Sequence, residues 1–128
     1  VTEIVRSPDC GNSPKNLFAQ ETAVALATGD LEFILDHIDD DVDWRIAGRE
    51  RLRGKTALAN RLRDVPEPAA LTVHHVMTHG KVGSVNGTMI FPGGRTREFC
   101  DVYEFTNARG NAIRTITSYI IEGIQNGG

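Results

Sequence analysis

Apolar residues recur at helical spacing through the first half of the chain and alternate with polar ones through the second. Phe18, Thr22, Ala25 and Leu26 lie on one helical face, with Ser13 as the cap, Pro14 at the opening position and Gly29 as the stop. Asp30 caps a shorter helix whose stripe is Leu31, Ile34, Leu35 and Ile38. Val42, Trp44 and Ile46 alternate as the inward side of a strand. Gly54-Lys55-Thr56 opens a third helix running to about Asp64, and Pro66-Glu67-Pro68 ends it. Strands are predicted over 71–79, 81–91, 96–106 and 112–122, with a bend at Gly80 and turns at Pro92-Gly93-Gly94 and 107–110. Residues 1–13, rich in turn chemistry, read as an irregular arm, and 14–128 as a single domain. Helices first and antiparallel strands afterwards make an α+β plan, in which the helices cover one sheet face.

Composition narrows the function classes. Hydrophobic content of 40% and a net charge of −3, with no basic stripe, exclude nucleic acid as the expected partner. No apolar run approaches the roughly 18 residues of a membrane span, and the first residues lack the form of a secretory signal. Cys10 and Cys100 make no disulfide framework, so reduced thiols and a cytoplasmic location are the expectation. Five aspartates fall within eight residues, from Asp36 to Asp43. Asp39-x-Asp41-x-Asp43 imitates a calcium loop, but Trp44 stands where that loop needs glycine. A solvated acidic turn is expected, and no metal or other cofactor.

Strand 99–105 holds the most informative chemistry. Alternation puts Phe99, Asp101, Tyr103 and Phe105 on one face and Cys100, Val102 and Glu104 on the other. A carboxylate among three aromatics is costly to bury unless it is paired, hydrogen-bonded or protonated. Asp101 is therefore either a working acid or a structural one satisfied by a neighbouring hydroxyl or amide. His74 and His75 are adjacent on a strand, so one of them is expected to face inward, and His75 is taken as the candidate. Cys100 and Val102, with Ile116 and Ile120 assigned to the matching face of the last strand, are expected under a dimer contact.

Gly29-Asp30, Asp40-Asp41-Val42-Asp43-Trp44, Gly54-Lys55, Asp101 to Phe105 and Ile113 to Ile120, in that order, resemble the nuclear-transport-factor-like superfamily. That superfamily includes ketosteroid isomerases, limonene epoxide hydrolases and small polyketide cyclases. The resemblance implies a cone-shaped fold, with three helices packed on a strongly curved, mainly antiparallel sheet, and a homodimer through the outer sheet face. It also implies a pocket between helices and sheet. Phe18, Thr22, Leu26, Trp44, Ile46, Leu58, Leu62 and Phe99 would line it, with Thr115 and Thr117 from the last strand. Asp101, Tyr103, Tyr119 and His75 would carry the chemistry.

Asp101 falls where the isomerases hold an acid that donates to an oxyanion. Four positions depart from the family machineries. Ile46 stands near the isomerase base, Thr22 near its tyrosine, Phe99 at the hydrolase arginine and Ser118 near the hydrolase second acid. The expected function is a protein with a pocket for an apolar small molecule. As an enzyme it would use ketosteroid isomerase-like or polyketide cyclase-like acid/base chemistry, for isomerisation, dehydration or cyclisation. The alternative is a non-catalytic ligand-binding or dimeric interaction domain of the same fold.

Overall fold

The structure is a computed structural model that describes residues 1–123; the end of the expected domain, 124–128, lies outside the described residues. In chain order it contains β1 (Glu3–Val5), a 3-10 turn (Pro8–Cys10), α1 (Pro14–Thr28), α2 (Leu31–His37), β2 (Ile38–Ile46) and β3 (Glu50–Arg53). These are followed by α3 (Lys55–Arg63), β4 (Ala70–His79), β5 (Val82–Ile90), β6 (Thr96–Phe105) and β7 (Ile113–Glu122). The seven strands form one sheet in the order β1-β4-β5-β6-β7-β2-β3. The β1–β4 and β2–β7 pairs are parallel and the rest antiparallel, so the sheet is mixed but mainly antiparallel.

The helix boundaries follow from their caps. The Ser13 hydroxyl accepts from the Asn16 amide and the Asp30 carboxylate from the Phe33 amide. Gly29 closes α1 in the left-handed region at φ 73°, where its N–H reaches the Ala25 carbonyl. The buried side of the helices meets the inward sheet residues in one core, including Ile34, Val42, Leu58, Leu71, Val85, Tyr103, Phe105, Ile113 and Ile116. On β5 the inward positions include Gly87, where a Cβ would stand 2.8 Å from the Phe99 ring. Its absence lets that ring lie across the β5 backbone.

Five expectations need correction. The acidic stretch is not a turn: Asp39, Asp40, Asp41 and Asp43 lie in β2, which begins at Ile38 and so takes that residue out of the α2 stripe. The arm is not irregular: β1 pairs with the start of β4, and Asp9 beyond it accepts from the Val76 amide at 3.2 Å. The arm thereby covers an otherwise open sheet edge. β3 was not predicted because Glu50-Arg51-Leu52-Arg53 has one apolar residue and no alternation to show. It is an edge strand held to β2, with Arg51 Nε donating to Asp43 at 3.0 Å.

A bulge between Val73 and His75 adds one residue to β4, so His74 and His75 both face outward and Val76 returns to the core. His75 is exposed; its Nδ1 lies 3.1 Å from Asp9 Oδ2, and its amide donates to Asn86 Oδ1. A second irregularity, between Glu104 and Phe105, shifts the phase of β7. Ile116, Ser118 and Ile120 consequently share the inward face with Asp101, and Thr115, Thr117 and Tyr119 face out. Ile116 and Ile120 therefore do not belong to the outer face beside Cys100.

Candidate functional site

Asp101 sits in the middle of β6, opposite Ser118 of β7 in the ladder. The helices close over this part of the sheet, and Asp101 is 5% exposed. Its two oxygens are both bonded: Tyr103 Oη donates to Oδ2 at 2.9 Å, and Ser118 Oγ to Oδ1 at 2.7 Å. Trp44 on β2 donates its indole N–H to Ser118 Oγ at 3.0 Å. The direction of this chain is fixed by chemistry. An indole N–H can only donate, so the Ser118 oxygen accepts there, and an ionised Asp101 can only accept, so it takes the Ser118 proton.

No buried side-chain nitrogen or oxygen among the described residues lacks a partner. Two opposing effects set the acid's ionisation. Burial disfavours the charge, and the Ser118 and Tyr103 hydroxyls favour it. Burial dominates, and the carboxyl is pushed up from 3.8 to about 6. Burial and the adjacent Asp101 push the Tyr103 phenol well above its ordinary range, so it stays a neutral donor.

A cavity of about 80 Å³ opens onto Asp101 and Ser118. Its inner wall comes from Ala23, Leu26 and Ala27 of α1, Trp44 and Ile46 of β2, and Met89, Phe99 and Ile120 of the sheet. Arg61, Val65, Pro66 and Arg97 line it as well. The volume corresponds to a few waters or part of one ring, so a larger ligand must extend through the mouth. Trp44 offers an aromatic wall for a planar group.

Of the residues expected from the sequence, Asp101, Leu26, Trp44, Ile46 and Phe99 border this cavity. Tyr103 is fully buried behind Asp101 and reaches the site through it. Phe18 instead packs against Phe33, His37 and Phe105, with ring centroids 6.2, 5.3 and 6.1 Å away. Thr22 turns its hydroxyl back to the Phe18 carbonyl, and Leu58 and Leu62 are core residues away from the cavity. His75, Thr115, Thr117 and Tyr119 lie on the other side of the sheet.

Ser118, Arg61 and Arg97 were not expected there. For the two strand residues the signal was register: Arg97 is two alternations from Asp101 on the same face, and Ser118 is its cross-strand partner. The second of these becomes visible only when the β7 irregularity is known. Among the described residues no cluster of three or more His, Cys, Asp or Glu side chains is arranged to hold a metal ion, and no helix is long and apolar enough to cross a membrane.

A family model described as a SnoaL-like domain matches residues 19–113. Among curated proteins nothing matches the chain. Solved structures do. An NTF2-like protein of unknown function from Cytophaga hutchinsonii is 22% identical, with 84% of this chain and 99% of that one covered and a TM-score of 0.66. A protein from Kribbella flavida described as a candidate ketosteroid isomerase is 16% identical, covering 89% and 82%, with a TM-score of 0.71. An LEH-like epoxide hydrolase from M. tuberculosis is 19% identical, covering 84% and 82%, with a TM-score of 0.66. At these identities the likeness is one of fold: three helices on a curved, unclosed mixed sheet. The chain belongs to the SnoaL-like domain family, within the NTF2-like superfamily.

Proposed function

We propose that the chain binds an apolar small molecule beside Asp101 and moves a proton on it. The observation that carries this reading is the buried acid itself, held by two hydroxyls at the inner end of a mostly apolar cavity, the usual composition of a small-molecule site. With its carboxyl near 6, Asp101 is mostly ionised at neutral pH and close enough to its midpoint to return the proton. Both bonds it receives favour the carboxylate. These features support a proton acceptor more than the permanent acid that the isomerase resemblance implies. The step is removal of a proton from carbon next to a carbonyl, with the electron pair moving into the enolate, followed by reprotonation. Enone isomerisation, dehydration of a β-hydroxy ketone and aldol ring closure can each begin this way, and family membership is compatible with each.

Deuterium wash-in from heavy water into a panel of cyclic ketones and enones tests the proposal. The wild-type protein should exchange at least one panel member above the buffer rate, with the rate rising through about pH 6. Asp101→Asn should lower it by about 10²–10⁴-fold. Exchange unchanged by Asp101→Asn would remove Asp101 from the mechanism. A second reading, binding without turnover, is favoured by Ile46 and Thr22 standing where the isomerases hold base and tyrosine. Saturable binding with no exchange by any panel member would select it.

We further propose a homodimer through the outer sheet face. Met77, Val82, Tyr119 and Ile121 expose 66, 46, 47 and 71% of their surface there, around the less exposed Cys100. An apolar patch of this kind, rimmed by His75, Asn86 and Glu98, is the form of a protein contact.

A further inference from the structure

Proton transfer at Asp101 leaves the mouth of the cavity unused. Asp101, Trp44 and Ser118 form the deep end, each no more than 5% exposed. Arg97 and Arg61 lie farther out, with side chains 18% and 34% exposed. Each guanidinium bonds one glutamate through Nε alone: Arg97 to Glu122 and Arg61 to Glu50, both at 2.8 Å. A guanidinium has five N–H donors, four of them on its two Nη atoms. The glutamate bond of each arginine uses Nε and does not occupy its Nη donors. Arg97 lies over the Phe91 ring, 5.1 Å from its centroid, which restrains the guanidinium. Arg49 adds a third cation, 3.4 Å from Glu122. Apart from Asp101 at the deep end, the charged residues that line the cavity are the two arginines at its mouth.

We propose that the mouth is an anion subsite, and that the ligand is an apolar ring or chain bearing a carboxylate. The apolar part enters toward Trp44 and Asp101, and the carboxylate stays outside on the Nη groups of Arg61 and Arg97. Planar guanidiniums match a carboxylate with paired hydrogen bonds, which a single ammonium does not. The carboxylate of Asp101 at the inner end repels a second anion, so the orientation is fixed from both ends. The small inner volume acts in the same sense, since it leaves the head group at the mouth. This inference rests on the pocket reading above and assigns its ligand a charge and a direction.

Trp44 is the single tryptophan, so its emission reports this cavity. Phenylacetate and its uncharged analogue phenylacetamide are the probes, titrated at pH near 7.5 into the wild-type protein and into Arg61→Gln and Arg97→Gln. The wild type should bind the carboxylate about 10-fold or more tighter than the amide. Each variant should reduce that preference several-fold and leave amide affinity unchanged, which also shows that the pocket is intact. Arg61→Gln, the more exposed site, keeps the test decisive if Arg97→Gln fails to fold. Equal affinity for the two probes, or a preference that survives in Arg61→Gln, overturns the anion subsite and leaves the pocket reading standing. No response of Trp44 to either probe at about 10 mM, a concentration that detects even very weak binding, overturns both.

Discussion

The two faces of the β5-β6-β7 ribbon are made by the same strands and treat polar atoms in opposite ways. On the inner face Asp101, Ser118 and Trp44 are buried, and each polar side-chain group has its partner fixed by direction and distance. On the outer face, one residue away along each strand, Cys100 and Tyr119 stand beside half-exposed or exposed neighbours. Its polar side chains pair across strands in contact with solvent, Thr88 Oγ1 with Glu98 at 2.9 Å and Thr115 Oγ1 with Glu104 at 3.1 Å, and Ser84 Oγ approaches Cys100 Sγ only to 3.6 Å. Burial makes the difference. A polar group removed from water must replace its hydrogen bonds or lose about 1–3 kcal/mol, whereas an exposed one exchanges partners with solvent at little cost. Side-chain identity on the inner face is therefore constrained by chemistry, and on the outer face by whatever covers it.

The largest effect that would break this comparison concerns pH. The native Asp101 carboxyl lies near 6, above its ordinary 3.8. Below about pH 4 it is protonated in both folded and unfolded chains and contributes nothing. As pH rises from 4 to 6 the unfolded chain releases this proton first, and stability falls by up to about 3 kcal/mol before levelling. Asp9 and Asp43 are held low by bonds from His75 and Arg51, and act in the opposite sense at the acid end. Urea midpoints followed by Trp44 emission should thus be higher near pH 5 than near pH 7.5. Asp101→Asn should flatten that slope. A slope of equal size in the variant would mean that the inner carboxyl is not held as the structure implies.

Ser118→Ala comes next. It strands the Trp44 N–H and removes one of the two donors to Asp101, with an expected loss of about 1–3 kcal/mol. Because that donor favours the carboxylate, the Asp101 midpoint should move up, visible as a shift in the pH dependence of exchange. Unchanged stability and an unchanged midpoint would refute the direction assigned to the Trp44–Ser118–Asp101 chain.

The smallest effect belongs to the outer face. Tyr119→Glu should change the stability of a monomer by no more than about 0.5 kcal/mol, as exposed positions generally do. Placed in the proposed contact, the same charge should convert a dimer to a monomer in sedimentation experiments. A dimer that persists would move the contact to another surface.

Much of this could be read from the chain, and the reasons are local. The caps Ser13, Asp30 and Gly29 act on their own helix termini, so both ends of α1 and the start of α2 follow from adjacent residues. The alternation of Phe99, Asp101, Tyr103 and Phe105 is uninterrupted, so the inward face of β6 followed from period alone. The family-like order of motifs likewise anticipated three helices on a curved sheet.

Tertiary structure decided the rest. Two strand irregularities, at Val73–His75 and Glu104–Phe105, each reverse a phase that unbroken alternation would keep. They send His75 and Tyr119 out and bring Ser118 in. An irregularity of this kind depends on what the partner strand and the covering arm can bond. Asn86 and Asp9 satisfy the amides at the first one, and neither is close to it in the chain. The sequence by itself determined which acid would be buried, because one strand's period suffices for that. Only the folded sheet decided which hydroxyls and arginines would meet that acid's cavity, because those residues arrive from other strands and a helix, through a register that no local pattern records.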